Sequence, residues 1–283
     1  MRITLPAALQ RVVRAVWRNG ARVRDTQERA IPEETAVAFT YGGSSYAVMM
    51  ATPRDLEDFA VGFTLTEGVA SPDKIENLEI IPSEAGIELR MRLAEAQEHA
   101  HAERRRHLAG PTGCGLCGIE SLTEAMRDLP KVTSKEIFAP EEIMRAVTSL
   151  PAAQTLNNET RAVHAAAFWK RGQGLVALRE DVGRHNALDK LAGALTRSGV
   201  SAAEGFVVVT SRLSVEMVQK AAMMGAPLIV AASAPTALAL RTAKESGITV
   251  AAIARGDGFE VFTHADRIVL DTVQGTGNVA LGA

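Results

Sequence analysis

Apolar side chains alternate at Val37, Phe39 and Tyr41 and recur from Tyr46 to Met50, with Gly42-Gly43-Ser44 between them. That period of two predicts a β-hairpin. Thr52-Pro53-Arg54-Asp55 follows and reads as a helix start, with Thr52 as N-cap, Pro53 at the first helical position and Asp55 in capping-box position. Leu56, Phe59, Ala60 and Phe63 then mark one apolar face, and Gly68 is placed to end the helix. Glu57 and Asp58 fall off that face and are expected in solvent. Leu78 to Ile81 and Ile87 to Leu93 predict two more strands, joined through Pro82 and Gly86.

Beyond residue 140 the pattern changes to alternating elements. A helix is predicted over 141–149, strands over 162–169 and 175–179, and a helix carrying Leu188, Leu191 and Leu195. Strands at 206–210, 228–232 and 248–254 alternate with helices at 215–224 and 236–246, closed by Gly225 and Gly247. Alternation at this interval predicts βαβ units in a mostly parallel sheet. Ligands of such sheets gather at strand carboxyl ends. The loops Thr210-Ser211-Arg212, Ser233-Ala234-Pro235 and Arg255-Gly256-Asp257-Gly258 are therefore expected to border one crevice. Residues 1–34 hold seven arginines and little apolar period, which predicts a loosely held arm or a short surface helix.

The chain has 283 residues, 47% of them hydrophobic, with 31 basic against 33 acidic side chains. A net charge of −2 gives no argument for nucleic acid or an anionic membrane. No apolar run is long enough to span a bilayer, and the opening Met1-Arg2-Ile3-Thr4-Leu5-Pro6 lacks the apolar run of a signal peptide. The cytoplasm is the expected compartment, where two cysteines would be reduced at rest.

Those two cysteines lie in Gly110-Pro111-Thr112-Gly113-Cys114-Gly115-Leu116-Cys117-Gly118. The glycines give a loop able to present both sulfurs, and the helical spacing that resumes at Ile119 places Cys117 near a helix N-terminus, which favours a thiolate. A structural zinc site is short of ligands, since His99, His101 or His107 would have to complete it. His101-Ala102-Glu103, Pro111 and Cys114-x-x-Cys117 superficially match the zinc-deaminase signature, but only a short charged tract separates the two halves. A thioredoxin-like redox pair would normally sit on a strand-to-helix junction with less glycine. The remaining reading is a persulfide carrier whose mobile loop visits donor and acceptor in turn. Asp181-Val182-Gly183-Arg184-His185-Asn186-Ala187-Leu188-Asp189-Lys190 is the densest polar cluster of the alternating half, where ligand contact and a purely structural network are both open.

Five stretches together resemble the formate dehydrogenase accessory sulfurtransferases (FdhD): residues 52–63 with Thr66-Glu67-Gly68, Cys114 to Gly118, Glu180 to Lys190, Ser214 to Ala221, and Ser233-Ala234-Pro235-Thr236. The resemblance implies a sulfur carrier that takes sulfur from a cysteine desulfurase as a cysteine persulfide. It would deliver that sulfur to the molybdenum cofactor, in its bis-molybdopterin guanine dinucleotide form, for formate dehydrogenase. Cys114 would hold the persulfide and Cys117 would assist. The cofactor-binding segment falls on Ile253, Ala254, Arg255, Gly256, Asp257 and Gly258. The resemblance further implies a homodimer with no permanent metal. It also implies a cytidine-deaminase-like larger domain over 111–283, preceded by the cysteine loop, with a smaller β-rich part over 35–110. The rival is a chaperone that escorts the cofactor without moving sulfur. Two positions differ from the family pattern: Thr160-Arg161-Ala162 stands where Thr-Gly-Gly is usual, and Thr210-Ser211-Arg212 where Ser-Gly-Arg is usual.

Overall fold

A computed structural model describes residues 4–19, 21–23, 28–94 and 128–270. Cys114, Cys117, the three histidines before them and the helix expected from Ile119 lie outside the described residues, apart from Leu129 at its end.

Among the described residues, the N-terminal segment is paired as strands where a loose arm or short surface helix was expected. Strand β1 (Leu9–Val13) pairs antiparallel with β4 (Glu28–Pro32), and β2 (Val16–Arg18) with β3 (Ala21–Val23). Arg29 ties β4 down by donating from Nη2 to the Thr160 carbonyl at 3.2 Å. Next come β5 (Thr35–Tyr41), β6 (Ser44–Ala51), helix α1 (Leu56–Thr66), β7 (Ile75–Ser83) and β8 (Gly86–Leu93). They build a four-stranded sheet in the order β6-β5-β8-β7, in which only β5 and β8 run parallel. Phe39 of β5 stacks on Phe63 with ring centroids 3.9 Å apart and meets Phe59 edge-on at 4.9 Å, so one face of α1 is fixed to this sheet.

The alternating half contains α2 (Pro140–Ala153), α3 (Thr155–Thr160), β9 (His164–Lys170), β10 (Gly174–Asp181), α4 (Arg184–Arg197), β11 (Gly205–Val209), α5 (Val215–Met224), β12 (Leu228–Ala231), α6 (Ala237–Ser246), β13 (Thr249–Arg255) and β14 (Gly258–Thr263). Its sheet has the order β10-β9-β11-β12-β13-β14. Two of the five pairings are parallel and three antiparallel, so the expected mostly parallel sheet is corrected to a mixed one. The reason is local: β9 and β10 form a hairpin, and Gly256-Asp257 closes a second hairpin from β13 into β14. Helices α4, α5 and α6 cover one face of the sheet, while Phe138 and α2 cover the other.

Glycines bring the two halves together. A Cβ on Gly62 of α1 would lie 1.7 Å from the Asp189 carbonyl oxygen, and one on Gly193 of α4 would lie 1.8 Å from that of Asp58. The helices therefore cross backbone against backbone, which only glycine allows.

Candidate functional site

The loop between β6 and α1 does not cap its helix as the sequence suggested. Helix α1 begins at Leu56 after Asp55, whose φ of 54° is left-handed and whose side chain caps nothing. Thr52 turns instead toward the other sheet. Its N–H donates to Asp181 Oδ2 at 3.0 Å, and its Oγ1 accepts from the Val182 N–H at 3.2 Å. Lys190 then donates to the Thr52 carbonyl at 2.8 Å and to Asp181 Oδ2 at 2.6 Å. Both charged side chains are 0% exposed, and Asn186 closes the network by donating to Asp181 Oδ1 at 2.9 Å and to the Met50 carbonyl at 2.8 Å. The Lys190 ammonium also sits 5.3 Å above the Phe59 ring.

A second network is built on Asp189, the residue before Lys190 on α4. Lys220 of α5 pairs with Asp189 at 2.8 Å and with Glu67, while Thr66 donates to Asp189 Oδ1 at 2.6 Å. Burial pushes Asp189 up to about 6 against the pull of Lys220. Lys220 is raised despite its burial, because Asp189 and Glu67 hold the proton on it. The pair is ionised at neutral pH. Asp58 is the clearest correction among the acidic residues: it is buried, pairing with Arg179 at 2.7 Å and Arg197 at 2.5 Å, whereas Glu57 remains exposed. Its two cations come from β10 and the end of α4, far along the chain.

The dense polar segment thus divides by direction. Asp181, Asn186, Asp189 and Lys190 face the join between the halves and are structural. Arg184 and His185 face the carboxyl edge of the six-stranded sheet. There β9 begins where β10 ends, since His164 is opposite Asp181. The loops after β11 and β12 meet, Leu213 donating to the Ala234 carbonyl and receiving from the Thr236 N–H, and Ile253 within β13 donates from its N–H to the Ser233 carbonyl at 3.3 Å. Strand β13 continues to Arg255, beyond its last pairing with β12 at Ala251, so the β13–β14 turn lies past this edge. Arg255, Gly256 and Asp257 are exposed on it. A bulge falls between Ala252 and Arg255, and within it Ile253 adopts φ 54°. A β-branched residue in that region is strained, the kind of strain that clusters at functional sites.

His185 follows the first residue of α4, and its Nε2 lies 4.0 Å from Oε2 of Glu216 in the first turn of α5. The imidazole is depressed to about 4, by burial first and then by Lys220 and Arg184, with Glu216 and Glu67 opposing. Burial works to raise Glu216, but the nearby Ser214 hydroxyl, its own backbone N–H, His185 and Arg184 outweigh it and keep the carboxyl ionised. His164 is also depressed, by burial and then by Arg184. At neutral pH the edge therefore presents two neutral imidazoles, a carboxylate and the guanidinium of Arg184. Among the described residues no group of three or more His, Cys, Asp or Glu side chains could hold a metal, and no helix is long and apolar enough to cross a membrane.

A family model described as the FdhD/NarQ family matches residues 32–269. The chain belongs to this family. It is 54% identical over 270 residues to a protein of Agrobacterium fabrum named sulfur carrier protein FdhD, covering 95% of this chain and 99% of that one. A protein of the same name from Brucella abortus is 50% identical over 264 residues, covering 92% and 98%. A crystal structure of a protein from Desulfotalea psychrophila, described as a formate dehydrogenase accessory protein, superposes with a TM-score of 0.69. It is 26% identical over 92% of this chain and 98% of that one.

Within this FdhD/NarQ chain the two departures in sequence have different structural meanings. Arg161 ends α3 with φ 53°, and its N–H donates to the Asn157 carbonyl at 2.7 Å, so the position demands a left-handed backbone that glycine adopts more cheaply. Ser211 has no such demand; it is buried and donates to the Arg212 carbonyl. Of the residues expected to bind cofactor, Ile253 and Ala254 lie in the bulged strand and Arg255 to Gly258 on the projecting turn. Sequence reasoning assigned no role at the edge to His164, Ser214 and Glu216. The signal available was Ser214 and Glu216 at the start of a helix following a strand of the same sheet, the position at which Arg184 and His185 had been noticed.

Proposed function

We propose that this FdhD/NarQ chain is a cytoplasmic sulfur carrier that serves formate dehydrogenase. Sulfur would pass from a cysteine desulfurase to Cys114, and from there to the molybdenum cofactor in its bis-molybdopterin guanine dinucleotide form, the cargo of the reaction. In the loading step the Cys114 thiolate attacks the terminal sulfur of the donor persulfide. A new S–S bond forms on Cys114 as the donor S–S bond breaks, and the donor leaves as a thiolate. Cys117 assists, and the protein works as a homodimer with a cytidine-deaminase-like larger domain.

The observation that carries this reading is the identity of about half of all positions with sulfur carrier proteins over nearly their whole length, in a chain whose only cysteines are Cys114 and Cys117. The sheet edge supports the cargo. Arg184, exposed Arg212 and exposed Arg255 supply cations for phosphates, and the strained bulge at Ile253 aims the turn of residues 255–258 past the strand ends. Replacing Cys114 by Ala in a cell that depends on this chain tests the reading. A carrier loses formate dehydrogenase activity by orders of magnitude, while a chaperone that only escorts the cofactor keeps most of it.

A further inference from the structure

Strands β1 to β4 make a two-stranded ribbon that joins neither of the larger sheets. β1 and β2 run out along one side and β3 and β4 return along the other, with Val13 opposite Glu28, Val16 opposite Val23 and Trp17 opposite Arg22. Arg18 pairs with Ala21, and Asn19 after it has the φ of 50° that a two-residue hairpin turn requires. The ribbon is tied down near its base, where Arg29 donates to the Thr160 carbonyl, Arg11 pairs with Glu159 at 3.2 Å and Ala30 is buried. Toward the tip, Val13 and Trp17 are 72% and 70% exposed. Burial alternates with a period of two from Arg11 to Trp17, so Val13, Ala15 and Trp17 share the open face.

A two-stranded hairpin has little stability of its own in water. Tryptophan and arginine are also the residue types enriched at the energetic centres of protein interfaces. Both point to a partner on this face, and its charge narrows the choice. Residues 9–24 carry five arginines, at 11, 14, 18, 22 and 24, and no acidic residue, in a chain whose net charge is −2. A second copy applying the same face would bring two such sets of arginines together. Arginines along both strands discourage strand addition at either edge of the ribbon. An acidic protein surface with a recess for an indole suits both the charge and the open apolar row.

The place of the ribbon says which partner. Thr160 ends α3, and the chain then enters β9 at His164, opposite Asp181 at the carboxyl edge of the six-stranded sheet. The base of the ribbon therefore stands beside the edge to which the cargo is assigned. We infer that Val13, Ala15 and Trp17, with the arginines around them, dock an acidic surface of the enzyme that receives the cofactor. The identity of that enzyme as formate dehydrogenase rests on the function proposed above. The receiving enzyme has to approach the cargo, whereas the sulfur donor has to reach Cys114.

Biolayer interferometry with the full-length protein, cofactor-free formate dehydrogenase and a cysteine desulfurase, each purified, tests the surface. Trp17→Ala should weaken binding to formate dehydrogenase about tenfold or more. Arg18→Glu combined with Arg22→Glu should do the same at about 50 mM salt and less at about 500 mM, where exposed charges are screened. Both variants should keep the parent's urea midpoint, its affinity for the desulfurase and its sulfur loading at Cys114. Cys114→Ala, which removes the sulfur-carrying thiol, should leave docking as it was, so failure of the docking surface and failure of the carrier reading are told apart. No binding of formate dehydrogenase by the unaltered protein, or binding indifferent to both sets of substitutions, overturns the assignment. So does a loss of affinity for the desulfurase instead, or conversion of a dimer to a monomer by Trp17→Ala in sedimentation, which would give the face to a second copy.

Discussion

Gly62 and Gly193 each occupy the space in which a side chain would strike the other's helix. The contacts at 1.7 and 1.8 Å are to backbone carbonyl oxygens, which cannot swing aside as the end of a side chain could. Gly193→Ala should therefore push α1 and α4 apart. Overpacking of this kind costs about 1–3 kcal/mol and occasionally more, and a clash with rigid backbone places it at or above the upper end. Urea unfolding at neutral pH measures it; a loss below about 1 kcal/mol would mean that the helices slide apart cheaply.

Lys190 depends on the same close approach, because the ammonium reaches both Asp181 and the Thr52 carbonyl only when α1 and α4 are in contact. Lys190→Met removes one partner and leaves the Asp181 carboxylate buried. Breaking a buried pair in this way costs about 3–5 kcal/mol. The same unfolding experiment should return a loss in that range, with formate dehydrogenase support falling in proportion to folded protein.

His185 and Asp189 give the stability of the protein opposing slopes with pH. A histidine depressed to about 4 contributes stability that is present above its ordinary 6.5 and is lost as pH falls through 4. An aspartate raised to about 6 contributes stability that is complete below its ordinary 3.8 and is lost as pH rises through 6. Between pH 6 and 4 the two terms work against each other. His185→Gln removes only the first, so lowering the pH from 7 to 4 should favour the variant over the parent by up to about 3 kcal/mol. Parallel curves for the two proteins would show that the imidazole is not held neutral by burial, Lys220 and Arg184.

Arg255 is exposed on the projecting turn and has no structural partner described, so its removal should leave folding stability within about 0.5 kcal/mol. On the proposed function it contacts the phosphates of the cargo. Arg255→Ala should weaken retention of the guanine-dinucleotide cofactor about tenfold in equilibrium dialysis, roughly the 1.4 kcal/mol of one charge-assisted contact. Unchanged retention would remove the turn from the binding surface.

Local chemistry made most elements legible. Gly225 and Gly247 end α5 and α6 in the left-handed conformation expected of them, and the Thr236 hydroxyl accepts from the Ala239 N–H as an N-cap. The misreadings at Thr52 and Asp58 involve partners distant in sequence. Thr52 looked like a cap because nothing near it reveals that the Val182 N–H, 130 residues away, takes its hydroxyl. Asp58 looked solvated because Arg179 and Arg197 lie 121 and 139 residues away. Strand β14 was missed because Gly256-Asp257 was read as a ligand turn, and the same residues also close a hairpin. At the edge, Arg184 and His185 stood out as polar residues at a helix start. Glu216 gained its meaning only when α5 was placed beside α4.

The central claim is that Cys114 carries sulfur, and mass spectrometry tests it most directly. The reduced protein is incubated with a cysteine desulfurase and cysteine, then analysed intact and as peptides. The account predicts one added sulfur atom on the Cys114 peptide, removed by reductant and absent from Cys114→Ala. No adduct on either cysteine, with cofactor binding intact, would contradict it and leave a chaperone.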